Sequence, residues 1–382
     1  MEERIYEDNY SKSFNGEIDF LAFLEERDAN SYWMKQPAKN LEIAAMDDSE
    51  YILSADDNVY ADTYRNTRLL LKVSGGENYP IRTCAIPSIL NRAKISGNAL
   101  NRVEKPVLAK ILNSCMQVAS GEALIRHSEN KISAVHGGDE FDYSPLSMPK
   151  LFKLTVNYLK ETFPDVTVNN QKVPGYIFAG GFYDHSITTA LWELTHQDRL
   201  LKTYREALQN HGITVKSMKP ALRLSSSDVG FSGANLFPML IYEGNQVITL
   251  GNPLKLEHKK KANLNIFKDQ LKMIFSQYSK AINGLTDLLN IEIRNPANCM
   301  LGIMKKINIT KKLAFEAADL FKAQYGEDPC TAHNVYYGIN QVIFMLQCEG
   351  ASGSRIAQAE ENIARALTIR WSDYDMPGEF KW

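Results

Sequence analysis

The sequence predicts an α+β protein, with a mixed or antiparallel sheet body, a helical block near the N-terminus and a C-terminal helical bundle. Three segments carry this prediction. Residues 221–242 resemble two strands around a polar loop, residues 86–119 place apolar side chains at helical spacing, and residues 264–288 keep a heptad pattern. Strand-like and helix-like patterns therefore occupy different parts of the chain.

A chain of 382 residues is long enough for two or three domain-sized cores. We expect an N-terminal arm at residues 1–48, an α+β body at residues 49–252 and a helical region at residues 253–382. The arm is polar, and it either docks on the body or stays mobile. An apolar fraction of 44% and a charged fraction of 23% are typical of a soluble globular protein.

Charge and cysteine usage limit the class of protein. A net charge of −2 argues against a histone-like nucleic-acid binder, although it permits a local basic patch. No apolar run approaches the roughly 20 residues that span a bilayer, and the first residues are too acidic for a signal peptide. Five scattered cysteines without a CxxC pair argue against disulfides and structural zinc. We expect a cytoplasmic protein without a membrane partner.

Strand and helix signals follow one another through the body. The predicted elements, in order, are a strand at 68–73, helices within 86–119, a hairpin at 123–136, a helix at 149–163, a strand pair at 176–194, the strands of 221–242, a turn at 243–245 and a strand at 246–250. The hairpin is expected to turn at Ser128-Glu129-Asn130.

The C-terminal third is predicted to be helical. Its longest helix carries apolar residues at heptad spacing, which are Leu264, Phe267, Leu271, Ile274, Tyr278, Ala281, Leu285 and Leu288. A seam of this kind needs a partner helix. The partner lies either in the same chain, within residues 314–325, 333–347 or 355–371, or in a second copy, which would make a homo-oligomer through Leu264, Leu271, Tyr278 and Leu285.

The polar loop within residues 221–242 is the first candidate site. Ser225, Ser227 and Gly230 belong to a serine- and glycine-rich run that could present backbone N–H groups to an anion, or could simply connect two strands. The run lacks both the P-loop spacing and the GxSxG spacing. It therefore predicts no catalytic chemistry.

A cluster of lysines is the second candidate site. Lys259, Lys260 and Lys261 follow His258 just before the heptad helix. Lysines at a helix start oppose the macrodipole, which favours a phosphate-bearing partner at this position. The alternative interpretation is a solvated surface.

Catalytic and metal sites find little support. Asp184-His185-Ser186 cannot form a triad, because adjacent residues do not converge on one atom. Acidic and histidine residues such as His127, His136 and Glu193 lack a diagnostic metal spacing. The sequence predicts no cofactor and no metal, and an enzyme, at most a nuclease using Asp139, Glu140 and Asp142, is the least favoured class.

Several segments, taken in order, resemble the phage- and plasmid-borne family known as domain of unknown function 932. Residues 79–116 are similar to its opening helical part, and residues 123–146 are similar to its hairpin, with Arg126 and Tyr143 at marked positions. Residues 224–242 resemble its strand–loop–strand, which Ser225, Ser227, Gly230 and Pro238 match. The family's downstream Cys-Thr-Asn-Gly element is missing, so the resemblance implies a divergent member.

The resemblance implies a protein of mobile elements in a bacterial host cell. We expect it to bind single-stranded nucleic acid, in recombination or replication, with no catalytic role. The predicted contacts are Lys259, Lys260, Lys261, His258, Arg126, Ser225, Ser227 and Gly230. The alternatives are a module that binds a host or phage protein to inhibit a host defence complex, and a structural subunit of the virus particle.

Overall fold

The computed structural model of the chain describes residues 3–46, 58–215, 217–242 and 246–382. The helices are α1 (Glu17–Ala29), α2 (Val59–Arg65), α3 (Ile86–Arg92), α4 (Lys105–Gln117), α5 (Met148–Thr162), α6 (Lys202–Asn210), α7 (Leu264–Asp287), α8 (Pro296–Lys306), α9 (Lys311–Tyr325), α10 (Ala332–Cys348) and α11 (Gly353–Ala364). The strands are β1 (Ser11–Phe14), β2 (Ser31–Pro37), β3 (Glu42–Ala45), β4 (Leu69–Lys72), β5 (Asn78–Pro80), β6 (Glu122–Ser128), β7 (Lys131–Gly137), β8 (Val166–Val168), β9 (Gln171–Val173), β10 (Tyr176–Asp184), β11 (Thr188–Leu194), β12 (Lys219–Ser226), β13 (Ala234–Tyr242), β14 (Gln246–Thr249), β15 (Leu254–Leu256), β16 (Glu292–Ile293) and β17 (Cys330–Thr331).

The α+β class is confirmed. Helices make up 46% and strands 24% of the structure, and the named strands pair antiparallel, so the sheets are antiparallel and not mixed. The predicted hairpin at 123–136 is present as β6 and β7, and the predicted helix at 149–163 is present as α5. The predicted turn at 243–245 lies outside the described residues.

The largest sheet has the order β1-β10-β11-β12-β13-β14, with β15 also paired to β13. Helices α1, α5 and α7 share its core, in which Phe20, Phe152, Trp192 and Phe267 are all fully buried. Strand β1, from the predicted arm, pairs with β10, and β15, from the predicted helical region, pairs with β13. This sheet therefore contains strands from all three predicted regions. The described part of the predicted arm docks on the body, and the boundary at residue 48 lies outside the described residues.

A separate helical block near the N-terminus is not evident. Helices α3 and α4 lie in the segment for which it was predicted, but they pack on strands β7 and β3. Two small sheets, β3-β4-β5 and β2-β6-β7, meet there through a parallel bridge between Ile81 and Ile132. The apolar face of each helix is therefore covered by strands and not by another helix, which helical spacing alone does not reveal.

The C-terminal helices α7–α11 are present, and the heptad seam lies on α7. Leu271, Tyr278 and Leu285 are at most 1% exposed, and the same chain covers them. Leu271 packs under the large sheet, whereas Tyr278 and Leu285 pack in the core that α8–α10 share. These three residues thus pack within one chain, whereas Leu264 is partly exposed, and a homo-oligomer stays a prediction. Within the described ranges, each helix is too short or too polar to reach across a lipid bilayer.

Candidate nucleic-acid interface

Three loops bring the predicted contact residues together. They follow β7, β12 and β15, and they comprise residues 138–147, 227–233 and 257–263. The backbone N–H groups of Lys260 and Lys261 donate to the carbonyl oxygens of Phe141 and Glu140, at 3.3 and 3.1 Å. A Cβ atom added to Gly233 would lie 3.2 Å from Cα of Glu257, so the second and third loops also touch. The three loops form one continuous surface.

The serine hydroxyls of this region face inward. Ser225 and Ser227 are at most 1% exposed, and the Ser227 hydroxyl accepts hydrogen bonds from the N–H groups of Val229 and Phe231. Neighbouring Ser226 is hydrogen-bonded through Oγ to Nε2 of His258, at 3.2 Å. Ser225 and Ser227 therefore belong to the interior of the loop and not to its outer surface.

Arg126 and His258 are also buried. The Arg126 guanidinium pairs with Asp228 at 2.5 Å, and its side chain is only 8% exposed, so its charge is already compensated. His258 is 4% exposed, and burial lowers its pKa to about 4, so it is neutral near pH 7. Neither side chain is available to a phosphate at the surface.

Beneath the loops lies a stack of aromatic rings that the sequence did not reveal. The centroids of His136 and Tyr143 are 3.8 Å apart, and those of Tyr143 and His258 are 5.6 Å apart. Burial lowers the pKa of His136 to about 4, against a smaller opposing contribution from the Val229 backbone. Gly230, which was predicted to cradle a phosphate, lies against this stack, since a Cβ there would be 2.7 Å from Cε1 of His136.

Lys259, Lys260 and Lys261 are the predicted contacts whose side chains are exposed. Among the described residues, none of the three is in an ion pair. Lys260 and Lys261 adopt φ angles of +55° and +61°. Such left-handed conformations cost a residue other than glycine about 1–2 kcal/mol each.

One exposed phenylalanine ring contacts the lysines, and a second lies on a neighbouring loop. Phe141 is 59% exposed, and the ammonium of Lys261 lies 5.3 Å from its ring centroid. Phe231, on the loop after β12, is 42% exposed. We call Lys259, Lys260, Lys261, Phe141 and Phe231 the lysine–phenylalanine surface. It combines cations with exposed rings, as surfaces that bind single strands do.

Acidic residues share the loop of Phe141. Asp139, Glu140 and Asp142 are exposed, and the Asp139 carboxylate accepts a hydrogen bond from the N–H of Phe141 at 2.8 Å. Their negative charges offset those of the lysines. No group of three histidine, cysteine, aspartate or glutamate side chains in the described part of the chain is placed to hold a metal ion.

The Asp184-His185-Ser186 segment forms a turn between β10 and β11. The Asp184 carboxylate accepts hydrogen bonds from the backbone N–H and the hydroxyl of Ser186, at 2.7 and 2.6 Å. His185 points the other way, into the interior, where its Nε2 is bonded to the carbonyl of Glu7. The three residues do not converge on a common point.

Comparisons with known proteins give no match: no family model, no curated protein and no solved structure matches this chain. The resemblance to the family of domain of unknown function 932 therefore rests on the residues described above.

Proposed function

We propose that this chain binds single-stranded nucleic acid through the lysine–phenylalanine surface, as a divergent relative of the family of domain of unknown function 932, in the cytoplasm of a bacterial cell. The observation that supports the proposal most strongly is the loop of Lys259, Lys260 and Lys261. These lysines are adjacent, exposed and without an ion pair among the described residues. Phosphate contacts supply most of the affinity of such proteins.

The backbone of the lysine loop adds support. Two lysines adopt a conformation that glycine would adopt without strain, so the backbone alone does not account for lysine at these positions. Strained residues cluster at functional sites, where the rest of the structure holds them in place. Here the carbonyl groups of Glu140 and Phe141 hold the loop.

The exposed rings indicate which form of nucleic acid the surface would bind. Base stacking requires unpaired bases, so Phe141 and Phe231 favour single strands over duplexes. Lysines contact phosphates without reading sequence, and the interaction is therefore expected to show little sequence preference. The acidic side chains of Asp139, Glu140 and Asp142 weaken the interaction, because they repel phosphates at the same surface.

The first test removes the positive charges. We compare the protein with the variant Lys259→Gln/Lys260→Gln/Lys261→Gln by fluorescence anisotropy, with labelled DNA and RNA strands of about 16 nucleotides. Loss of three phosphate contacts should reduce the magnitude of the negative slope of log K against log salt by about 2. It should also lower the affinity by roughly 50-fold at 0.15 M salt.

A matched control separates the surface from overall charge. Lys305→Gln/Lys306→Gln/Lys311→Gln removes the same charge, and two of its lysines likewise lie over phenylalanine rings. This control should bind like the unchanged protein. The proposal is wrong if the unchanged protein does not bind either strand, or if both triple variants lose the same affinity.

The second test removes the rings. Phe141→Ala or Phe231→Ala should weaken binding by about 1–3 kcal/mol for each base that stacks. Phe344, which is 60% exposed on α10, supplies the control Phe344→Ala. If the first two substitutions have no more effect than the control, bases do not stack on these rings.

A further inference from the structure

A group of buried charged side chains lies beside the bridge between the two small sheets. Lys131 is fully buried on β7, and its ammonium pairs with the carboxylates of Asp8, at 2.8 Å, and Asp62. The second oxygen of Asp8 accepts hydrogen bonds from the backbone N–H and the hydroxyl of Thr83, at 2.7 and 2.5 Å. Asp8 thus accepts three hydrogen bonds from groups that are suited to an oxyanion.

Arg82 adds donors that nothing in the described residues uses. Its side chain is fully buried, and Nη1 donates to the carbonyl of Glu7 at 3.3 Å. Nε and Nη2 are buried and have no hydrogen-bond partner among the described residues. These two nitrogens form one edge of the planar guanidinium, which is suited to bind two oxygens of one anion. Buried donors without partners are costly, so a ligand that supplied oxygens there would stabilise the fold.

Asp8 belongs to a segment that contributes no helix or strand residue. Residues 3–10 precede β1 and lie across the buried group, with Tyr10 packed 6.4 Å from the ring of Tyr183. Thr83 is exposed, so the group lies one residue from the surface. Without Asp8, the cations of Lys131 and Arg82 would be left with the carboxylate of Asp62, and the group would carry an excess positive charge.

We propose that Lys131, Arg82 and Thr83 form a binding site for a phosphate group, which the Asp8 carboxylate fills as an internal substitute. A carboxylate offers two oxygens, and both are used by Lys131 and Thr83. A phosphate offers more oxygens, and we expect one of them to bind the free edge of Arg82 as well. Displacement of residues 3–10 opens the site toward Thr83. This site shares no residue with the lysine–phenylalanine surface.

The test uses the variant Asp8→Ala of the full chain. In chloride buffer this variant should unfold at a lower temperature than the unchanged protein. Inorganic phosphate, at ten times its dissociation constant and constant ionic strength, should raise the unfolding temperature of the variant by about 2–3 °C and leave the unchanged protein unaffected. Adenosine 5′-monophosphate, as a second probe, distinguishes a phosphate ester from the free ion.

Formate identifies the contribution of Arg82. Formate replaces the lost carboxylate but does not extend to the free guanidinium edge, so phosphate should stabilise Asp8→Ala more than formate does. In the double variant Asp8→Ala/Arg82→Gln that advantage should vanish while the effect of formate remains. Asp375→Ala is the matched control, because the Asp375 carboxylate also accepts backbone hydrogen bonds, from Arg294 and Asn295, without a buried lysine.

Three results would overturn the proposal. Stabilisation of Asp8→Ala by formate alone would show that Asp8 and Lys131 form a structural ion pair only. Equal effects of phosphate on Asp8→Ala and Asp375→Ala would show that the anion acts on the protein in general. If the double variant does not fold, calorimetric titration of phosphate into Asp8→Ala tests whether phosphate binds the site. Absence of binding would contradict the proposal.

Discussion

The imidazole of His136 lies flat on the ring of Tyr143, with the two planes only 7° apart. Tyr143 in turn stacks on His258, which directly precedes the exposed lysines. The stack therefore connects the hairpin strand β7 to two of the three loops that carry the lysine–phenylalanine surface. Changes within the stack should reach that surface through the backbone.

Gly230→Ala should destabilise the protein by about 2–4 kcal/mol. Gly230 has a φ of +90°, and an added Cβ would contact Cε1 of His136 at 2.7 Å. Gly212→Ala is the control, because Gly212 also has a positive φ but no atom of the described residues lies within 4 Å of an added Cβ. The control should lose only about 1 kcal/mol, which reflects backbone strain. Urea unfolding measures both, and equal losses would contradict the close packing on His136.

Acid should destabilise the fold through its buried histidines. In the folded protein the pKa of His136 is about 4, whereas in the unfolded chain it is near 6.5. Between these values the unfolded chain binds a proton that the folded protein does not. The free energy of unfolding should therefore fall as the pH decreases from 6.5 to 4, by up to about 1.4 kcal/mol per pH unit for this histidine.

His136→Phe tests that contribution. Phenylalanine keeps a ring on Tyr143 but takes up no proton, so the variant should lose less stability over the same pH range. Other buried histidines, including His258 and His333, act in the same direction, and only the difference between the two proteins reports on His136. An identical pH dependence would mean that folding does not lower the pKa of His136.

Leu271→Ala should cost about 2–5 kcal/mol of unfolding free energy, because Leu271 is fully buried in the core of a single chain. Lys268→Ala, at an exposed position of the same helix, should change stability by at most about 0.5 kcal/mol. Light scattering during size-exclusion chromatography should give the same mass for both variants and the unchanged protein. A lower mass for Leu271→Ala alone would place the seam between two chains.

Asp139→Asn/Glu140→Gln/Asp142→Asn should tighten binding to single strands by roughly tenfold, since three repelling charges are removed. Asparagine keeps the acceptor that holds the N–H of Phe141. Asp319→Asn/Glu327→Gln/Asp328→Asn removes the same charge elsewhere in the chain and is the control. Anisotropy at low and moderate salt measures both, and a common increase in affinity would point to net charge instead of the surface.

Elements with long or local signals were predictable from the sequence. The heptad pattern identified α7, because apolar residues that keep this spacing along a segment of 24 residues share one face of a helix and no face of a strand. The hairpin of β6 and β7 was predictable from its polar turn, in which Glu129 and Asn130 both adopt positive φ angles. In each case neighbours in sequence determine the structure.

The buried charges were not predictable, because their partners lie far away in sequence. Lys131 pairs with Asp8, which is 123 positions away, and an isolated lysine is expected at the surface. The same holds for Arg126, whose partner Asp228 follows a strand of another sheet. For this reason the sequence predicted only part of the candidate site. The three lysines are consecutive in the sequence, whereas the stack of His136 and Tyr143 arises from tertiary packing.

The pairing of β1 with β10 has a consequence for synthesis. Ser11–Phe14 are hydrogen-bonded to Gly181–Asp184, and the Glu17 carboxylate accepts from Nε1 of Trp192. During translation β1 therefore leaves the ribosome long before its partner strand exists. The edge of the large sheet, and with it the position of Asp8 three residues earlier, is completed only after β10 and β11 have emerged. We therefore expect Asp8 to reach the buried lysine late in folding.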